Sequence, residues 1–147
     1  MAITKQTPKT IHLGGPVVAV NDLVAGGAIT PGYLIERYSA SGTPKFQAHS
    51  TASGMAAKTV ALEPTMLNKT VDDAYAAGDL VEAAVLAPGA AAWMLIASGQ
   101  TLVAGDFMES TGNGTIRKYT SGVRLFQALE DKTAAFTGLT RIRVEAL

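Results

Sequence analysis

A five-residue word, Gly-Asp-apolar-apolar-Glu, occurs twice in this chain, as Gly78-Asp79-Leu80-Val81-Glu82 and as Gly105-Asp106-Phe107-Met108-Glu109. A variant stands at Gly32-Tyr33-Leu34-Ile35-Glu36. The glycine turns the chain, and two successive apolar residues then supply side chains to the two faces of an extended segment. Gly99-Gln100 precedes the word at 105 and Gly112-Asn113-Gly114 follows it, so the strand it starts is short. Nothing in the word is shaped for chemistry; it is a turn-and-strand device.

A second word follows in each half: Val60-Ala61-Leu62-Glu63 early and Gln127-Ala128-Leu129-Glu130 late. With Gly32 aligned on Gly105 the order of parts matches, down to a closing apolar-Glu-Ala segment, Val81-Glu82-Ala83 and Val144-Glu145-Ala146. Residues 32–83 and 105–146 thus read as degenerate copies of one unit. Two units are too few for a solenoid, so they are expected to complete a common sheet or barrel. The same words are also ordinary strand starts, so coincidence stands beside duplication as an explanation.

The rest of the chain is cut the same way. Val17-Val18-Ala19-Val20 is a β-branched strand between Gly14-Gly15-Pro16 and Asn21-Asp22. Strands are expected at Tyr33 to Tyr38, Lys45 to His49 (Phe46 and Ala48 inward), Thr59 to Leu62 and Leu80 to Leu86. A turn at Pro88-Gly89 should return the chain along Trp93 to Ile96. Thr115 to Tyr119 and Val123 to Leu129 read as a hairpin about Ser121-Gly122. In Arg141-Ile142-Arg143-Val144-Glu145-Ala146, Ile142, Val144 and Ala146 face inward and the charged residues outward. Pro64 to Ala77 is the best helix segment, with Asn68 as cap, Asp72 and Asp73 in the early turns and Gly78 as the stop; Thr70 and Val71 are poor helix formers, so a single irregular turn is the close alternative. The fold class expected is all-β, a compact barrel or sandwich of short strands with at most one short helix.

The chain has 147 residues, enough for one domain with its own core. Lys plus Arg and Asp plus Glu number 12 each, and the charged fraction is 16%. Zero net charge disfavours a nucleic-acid partner, and so few charges suit a surface covered in an assembly. With no cysteine, thiol chemistry is excluded. The N-terminus lacks the apolar run of a signal peptide. The longest apolar stretch, Ala83 to Ala97, is broken by Pro88-Gly89 and too short to span a bilayer. No membrane partner is expected, and synthesis in a cytoplasm is.

No catalytic residue, cofactor or metal is expected. His12 and His49 lack the spacing of a metal pair and read as exposed structural histidines. Adjacent Asp72 and Asp73 point in different directions on a helix. No nucleophile elbow or phosphate-binding glycine loop is present, and Gly14-Gly15 and Gly26-Gly27 lack the helix a dinucleotide fingerprint needs. The sequon matches at Asn68 and Asn113 carry no weight without a secretion signal. Trp93, the sole tryptophan, could anchor the core or an interface, and the burial ranking of tryptophan favours the core.

Residues 1–16 are polar and carry few apolar anchors, so they read as a flexible arm ahead of a single β domain, 17–147. Pairing of this arm with an exposed strand edge on a partner is expected. The contact residues would be Lys5, Thr7, Pro8, Lys9, Thr10 and Ile11, with Pro8 at the outer side because it has no N–H.

Four stretches, taken in order, resemble the capsid decoration, or cement, proteins of tailed bacteriophages. They are Ala28 to Glu36, Asp73 to Val81, Ser98 to Asp106 and Arg141 to Val144. The resemblance begins near Asn21, so the arm is not matched. It implies a small β fold, usually a homotrimer, that sits on the outer surface of an expanded head and clamps major capsid subunits. It implies no catalytic residues and a virion location. Two alternatives stand: an enzyme domain, which would need an acid/base pair near His49 for which the sequence offers no convincing partner, and a receptor- or carbohydrate-binding β module of a phage fibre, for which an aromatic fraction of 6% is low.

Overall fold

The computed structural model describes residues 9–147. The fold is all-β. Its strands are β1 (His12–Gly14), β2 (Val17–Val20), β3 (Leu34–Ala40), β4 (Thr43–Ala48), β5 (Thr59–Ala61), β6 (Ala83–Leu86), β7 (Ala91–Ile96), β8 (Thr101–Leu102), β9 (Phe107–Ser110), β10 (Ile116–Lys118), β11 (Phe126–Ala128), β12 (Lys132–Thr133) and β13 (Thr140–Ala146). A single 3-10 turn at Thr65–Leu67 is all the helix among the described residues. Asn68 closes that turn in the left-handed conformation instead of opening a helix. Asp73 accepts from the Thr70 N–H at 2.9 Å, fixing a tight turn where the helix was expected.

The strands form two barrels. In the second, β7-β10-β9-β11-β13 is a continuous ladder and β13 pairs back onto β7, which closes the ring. In the first, the order is β2-β6-β5-β3-β4. A parallel bridge between Ala25 and Phe46, carried by the Gly26 N–H to the Phe46 carbonyl at 2.9 Å, brings the chain beyond β2 against β4. The second barrel closes with the same parallel contact, Ile116 beside Ile96.

The two halves share topology and register. β3 lies between β4 and β5, and β9 between β10 and β11, all antiparallel. β5 then pairs β6 as β11 pairs β13. The repeated glycines make equivalent bonds: Gly32 N–H to the Ala61 carbonyl at 2.8 Å, and Gly105 N–H to the Ala128 carbonyl at 2.8 Å. Both have φ near the value only glycine adopts easily, 95° and 94°. Only the closing strands differ from the sequence alignment. Ala61 faces Ala83 and Ala128 faces Val144, so Ala83 is equivalent to Val144, two residues from Ala146. A shift of two keeps every side chain on its face.

Two expected connections and one expected facing take another form. β10 and β11 both flank β9, so Ser121-Gly122 is not a hairpin tip. β6 and β7 belong to different barrels, which makes Pro88-Gly89 the passage between them. Arg141 points outward from the second barrel but into the first. Its guanidinium donates to the Pro31 and Val71 carbonyls at 3.1 and 2.6 Å and pairs with Asp72 at 3.5 Å. Alternation along β13 specifies a face, not solvent.

The first barrel is filled by Ile29, Ile35, Phe46, Tyr75, Val81 and their neighbours. The Tyr75 hydroxyl, deep in this core, donates to the Leu62 carbonyl at 2.8 Å and accepts from the Glu82 N–H at 3.2 Å. Burial pushes its phenol above the usual range. The interior of the second barrel is continuous with the seam, where Leu34 and Val60 pack against Met94, Met108 and Ile142. Backbone bonds cross the seam as well: Leu34 N–H to the Gly114 carbonyl at 2.8 Å and Leu95 N–H to the Gly32 carbonyl at 3.1 Å.

Candidate functional site

Three polar clusters among the described residues bear on where chemistry or binding could reside. The first surrounds the carboxylate of the repeated word. Glu109 is fully buried on β9. It accepts from Arg117 Nε at 3.0 Å, Ser53 Oγ at 3.0 Å, Thr120 Oγ1 at 2.9 Å and the Gly122 N–H at 2.8 Å. Burial alone would raise its pKa, but the Gly122, Thr120, Ser53 and Arg117 bonds outweigh it and hold the carboxyl at about 2. Glu36 stands at the same place in the first barrel, accepting from Gln47 Nε2 at 2.8 Å and Ser50 Oγ at 2.6 Å. Its carboxyl is also held below the ordinary range: burial opposes the shift, and the Ser50 and Gln47 bonds prevail. The repeated Glu is therefore a strut that ties a strand to the loop beyond its partner.

The second cluster joins the barrels. His49 Nδ1 lies 2.7 Å from Ser110 Oγ, Nε2 lies 3.0 Å from the Met55 carbonyl, and Glu36 Oε2 is 3.7 Å from Nε2. A serine, a histidine and a carboxylate thus converge, a grouping the sequence did not disclose. Their arrangement is a closed chain of hydrogen bonds. Nε2 faces the Met55 carbonyl and donates to it, and in the neutral ring Nδ1 then accepts the Ser110 hydroxyl proton. Ser110 Oγ also accepts from the Gly112 N–H at 3.1 Å. Ser110 is 0% and His49 2% exposed, so neither presents an atom to a substrate. His49 is not the exposed histidine its sequence context suggested; it is polar mortar in the seam. Sequence reading had no means of pairing it with a residue 61 positions away.

The third cluster involves the expected partner-contact segment. Lys5, Thr7 and Pro8 lie outside the described residues. Lys9 is exposed. Thr10 Oγ1 donates to Glu63 Oε1 at 2.9 Å and the Ile11 N–H donates to Glu63 Oε2 at 2.9 Å. Ile11 is wholly buried in the core, and its carbonyl receives the Trp93 N–H at 2.8 Å. From Ile11 onward, residues expected in a free arm belong to the domain: β1 is a strand on the edge of β7. The difference has a physical cause. One isoleucine and one carboxylate clamp suffice to anchor a segment whose composition is polar. Ile11 is therefore a core residue, not available to a partner.

Trp93 is half-buried, with Arg143 stacked 5.9 Å from its ring. Among the described residues no three His, Cys, Asp or Glu side chains are grouped to hold a metal ion. No helix of the described residues is long and apolar enough to cross a membrane.

No protein-family model matches the chain, and no curated protein matches it either. Among solved structures, the N base of the head fiber protein gp8.5 of bacteriophage phi29 has a similar fold. The TM-score is 0.61 at 10% identity, over 90% of this chain and 95% of that one. At that identity the likeness is one of fold.

Proposed function

We propose that this protein is a non-enzymatic structural component of a bacteriophage virion that binds the outer surface of the head. The observation that carries the reading is the fold shared with a phage head fiber base, matched along nearly the whole of both chains. The sequence supports it independently through the ordered resemblance to capsid decoration proteins. The buried polar groups, Glu109, Ser110 and His49, are closed inside the fold and act as struts. In the finer form of the proposal the protein is a homotrimer that clamps neighbouring major capsid subunits and opposes the pressure of packaged DNA.

The test is binding to heads. Purified protein mixed with expanded, undecorated heads should co-sediment to a fixed ratio per capsid, and should bind unexpanded proheads far less. Failure to co-sediment with any form of head would overturn the head-binding proposal. Equal binding to both forms would remove the part that depends on expansion.

A receptor- or carbohydrate-binding module of a fibre is the second reading. It is favoured by Phe136, which is 86% exposed in the loop before β13 and rests on Gly99. Binding to a glycan array that is lost in Phe136→Ala would support this reading over the first.

A further inference from the structure

Superposed by register, the two barrels differ at one edge. Val20 faces Ala83 as Ala92 faces Val144, so Ala19 corresponds to Ala91 and Asn21 to Trp93. In the second barrel this edge of β7 is occupied. β1 runs antiparallel along it, with His12 opposite Ala92 and the Trp93 N–H bonded to the Ile11 carbonyl. In the first barrel β2 pairs with β6 on one side, and among the described residues no strand lies along the other. The Ala87 N–H reaches the Pro16 carbonyl at 3.1 Å. By the antiparallel alternation, residues 18 and 20 then bond to β6, while the backbone of Val17, Ala19 and Asn21 points outward.

This edge is unguarded. Val17-Val18-Ala19-Val20 carries no charge and no proline, and Val18 is 65% exposed. Proteins ordinarily protect such an edge with lysine, proline or a cover. Its counterpart is covered by a segment from the N-terminal end of this chain.

We propose that the β2 edge is a strand-acceptor site filled by the N-terminal segment, residues 2–8, of a second copy of this chain. Residues 2–8 span about 25 Å when extended, longer than the four-residue β2 edge they would pair with. Ile3-Thr4-Lys5-Gln6-Thr7 has two β-branched types and no glycine or proline to interrupt a strand, and Pro8 ends the pairing because it has no N–H to give. The incoming strand runs antiparallel to β2, as β1 does to β7, and its carbonyls receive the Ala19 and Asn21 N–H groups. Each copy gives one strand and accepts one. Around a threefold axis that head-to-tail exchange closes a ring. The inference deepens the homotrimer reading and rests on it; it does not depend on which capsid is bound.

The chain has no cysteine, which makes disulfide trapping clean. Ala19→Cys is combined in turn with Ile3→Cys, Thr4→Cys, Lys5→Cys and Gln6→Cys, oxidised, and run under non-reducing denaturing conditions. Interchain ladders up to the trimer, at positions of one parity, are the expected result. A disulfide within a single chain, or none at any position, would overturn the proposal. Ala19→Pro removes the outward N–H without touching the β6 ladder. It should weaken self-association at least about tenfold by light scattering while leaving the circular dichroism spectrum unchanged. A trimer that survives Ala19→Pro, without cross-links in the cysteine series, refutes the strand site and keeps the trimer. A wild-type protein that is monomeric at every concentration refutes both.

Discussion

His49 and Ser110 meet 2.7 Å apart in the seam between two barrels of the same topology. One comes from the loop after β4 and the other from the end of β9, so the bond exists only when the barrels are docked. Ser110→Ala would leave His49 Nδ1 buried without a donor. The expected loss is roughly 1–3 kcal/mol, read by urea denaturation. Ser50→Ala, which removes an exposed hydroxyl from Glu36, should cost less. Equal losses would mean the seam bond contributes nothing particular.

Acid should find Glu109. Its folded carboxyl titrates at about 2 against an ordinary 4.5, so the unfolded chain takes up the proton first as pH falls. Its contribution is complete above about pH 5 and is lost as pH falls from there through 2. Glu109→Gln should flatten this acid limb of the stability curve. At neutral pH it should also cost about 3 kcal/mol, because Arg117 is left beside a neutral partner. An unchanged slope of stability between about pH 5 and pH 2 would show that Glu109 is not the group responsible.

The repeated glycines separate two kinds of strain. Gly105→Ala adds a methyl to open space, so its cost is that of a left-handed alanine, about 1–2 kcal/mol. Gly32→Ala has the same backbone penalty and also places Cβ 3.2 Å from the Trp93 carbonyl oxygen. Thermal melts should rank Gly32→Ala below Gly105→Ala. The reverse order would show that the seam yields to the extra methyl.

On β13, Val144 is buried while Arg143 is exposed and pairs with Glu130 at 3.0 Å. Val144→Asp buries a carboxylate with no partner and should cost several kcal/mol. Arg143→Asp loses a half-exposed ion pair and should cost about 1 kcal/mol or less. Comparable melting shifts for the two would contradict the facing of the strand.

Truncation distinguishes the anchored part of the N-terminus from the rest. Removing residues 2–8 spares Ile11 and the Glu63 clamp, so under conditions where the protein is monomeric it should leave the melt nearly unchanged. Removing residues 2–13 deletes a buried isoleucine and most of β1, and should cost at least about 2–5 kcal/mol. If the protein lacking residues 2–13 melts with the full chain, β1 is dispensable.

The sequence by itself determined most of the strands and turns, and it raised the correspondence of the halves without deciding it. These are local matters: Gly32 and Gly105 turn the chain because only glycine adopts their φ cheaply, and Ile142 and Val144 fall on one face because a strand alternates with period two. It also placed the repeated Glu within the turn-and-strand device. Tertiary structure alone decided which strands became neighbours, since β10 and β11 both join β9 across gaps that pattern cannot close. It decided that outward on β13 meant the first barrel for Arg141 and solvent for Arg143. It buried His49 against Ser110 and Ile11 beside β7, and among the described residues it left β2 with an open edge where β7 has none. Burial and edge exposure depend on what the rest of the chain brings alongside, and no window of sequence contains that information.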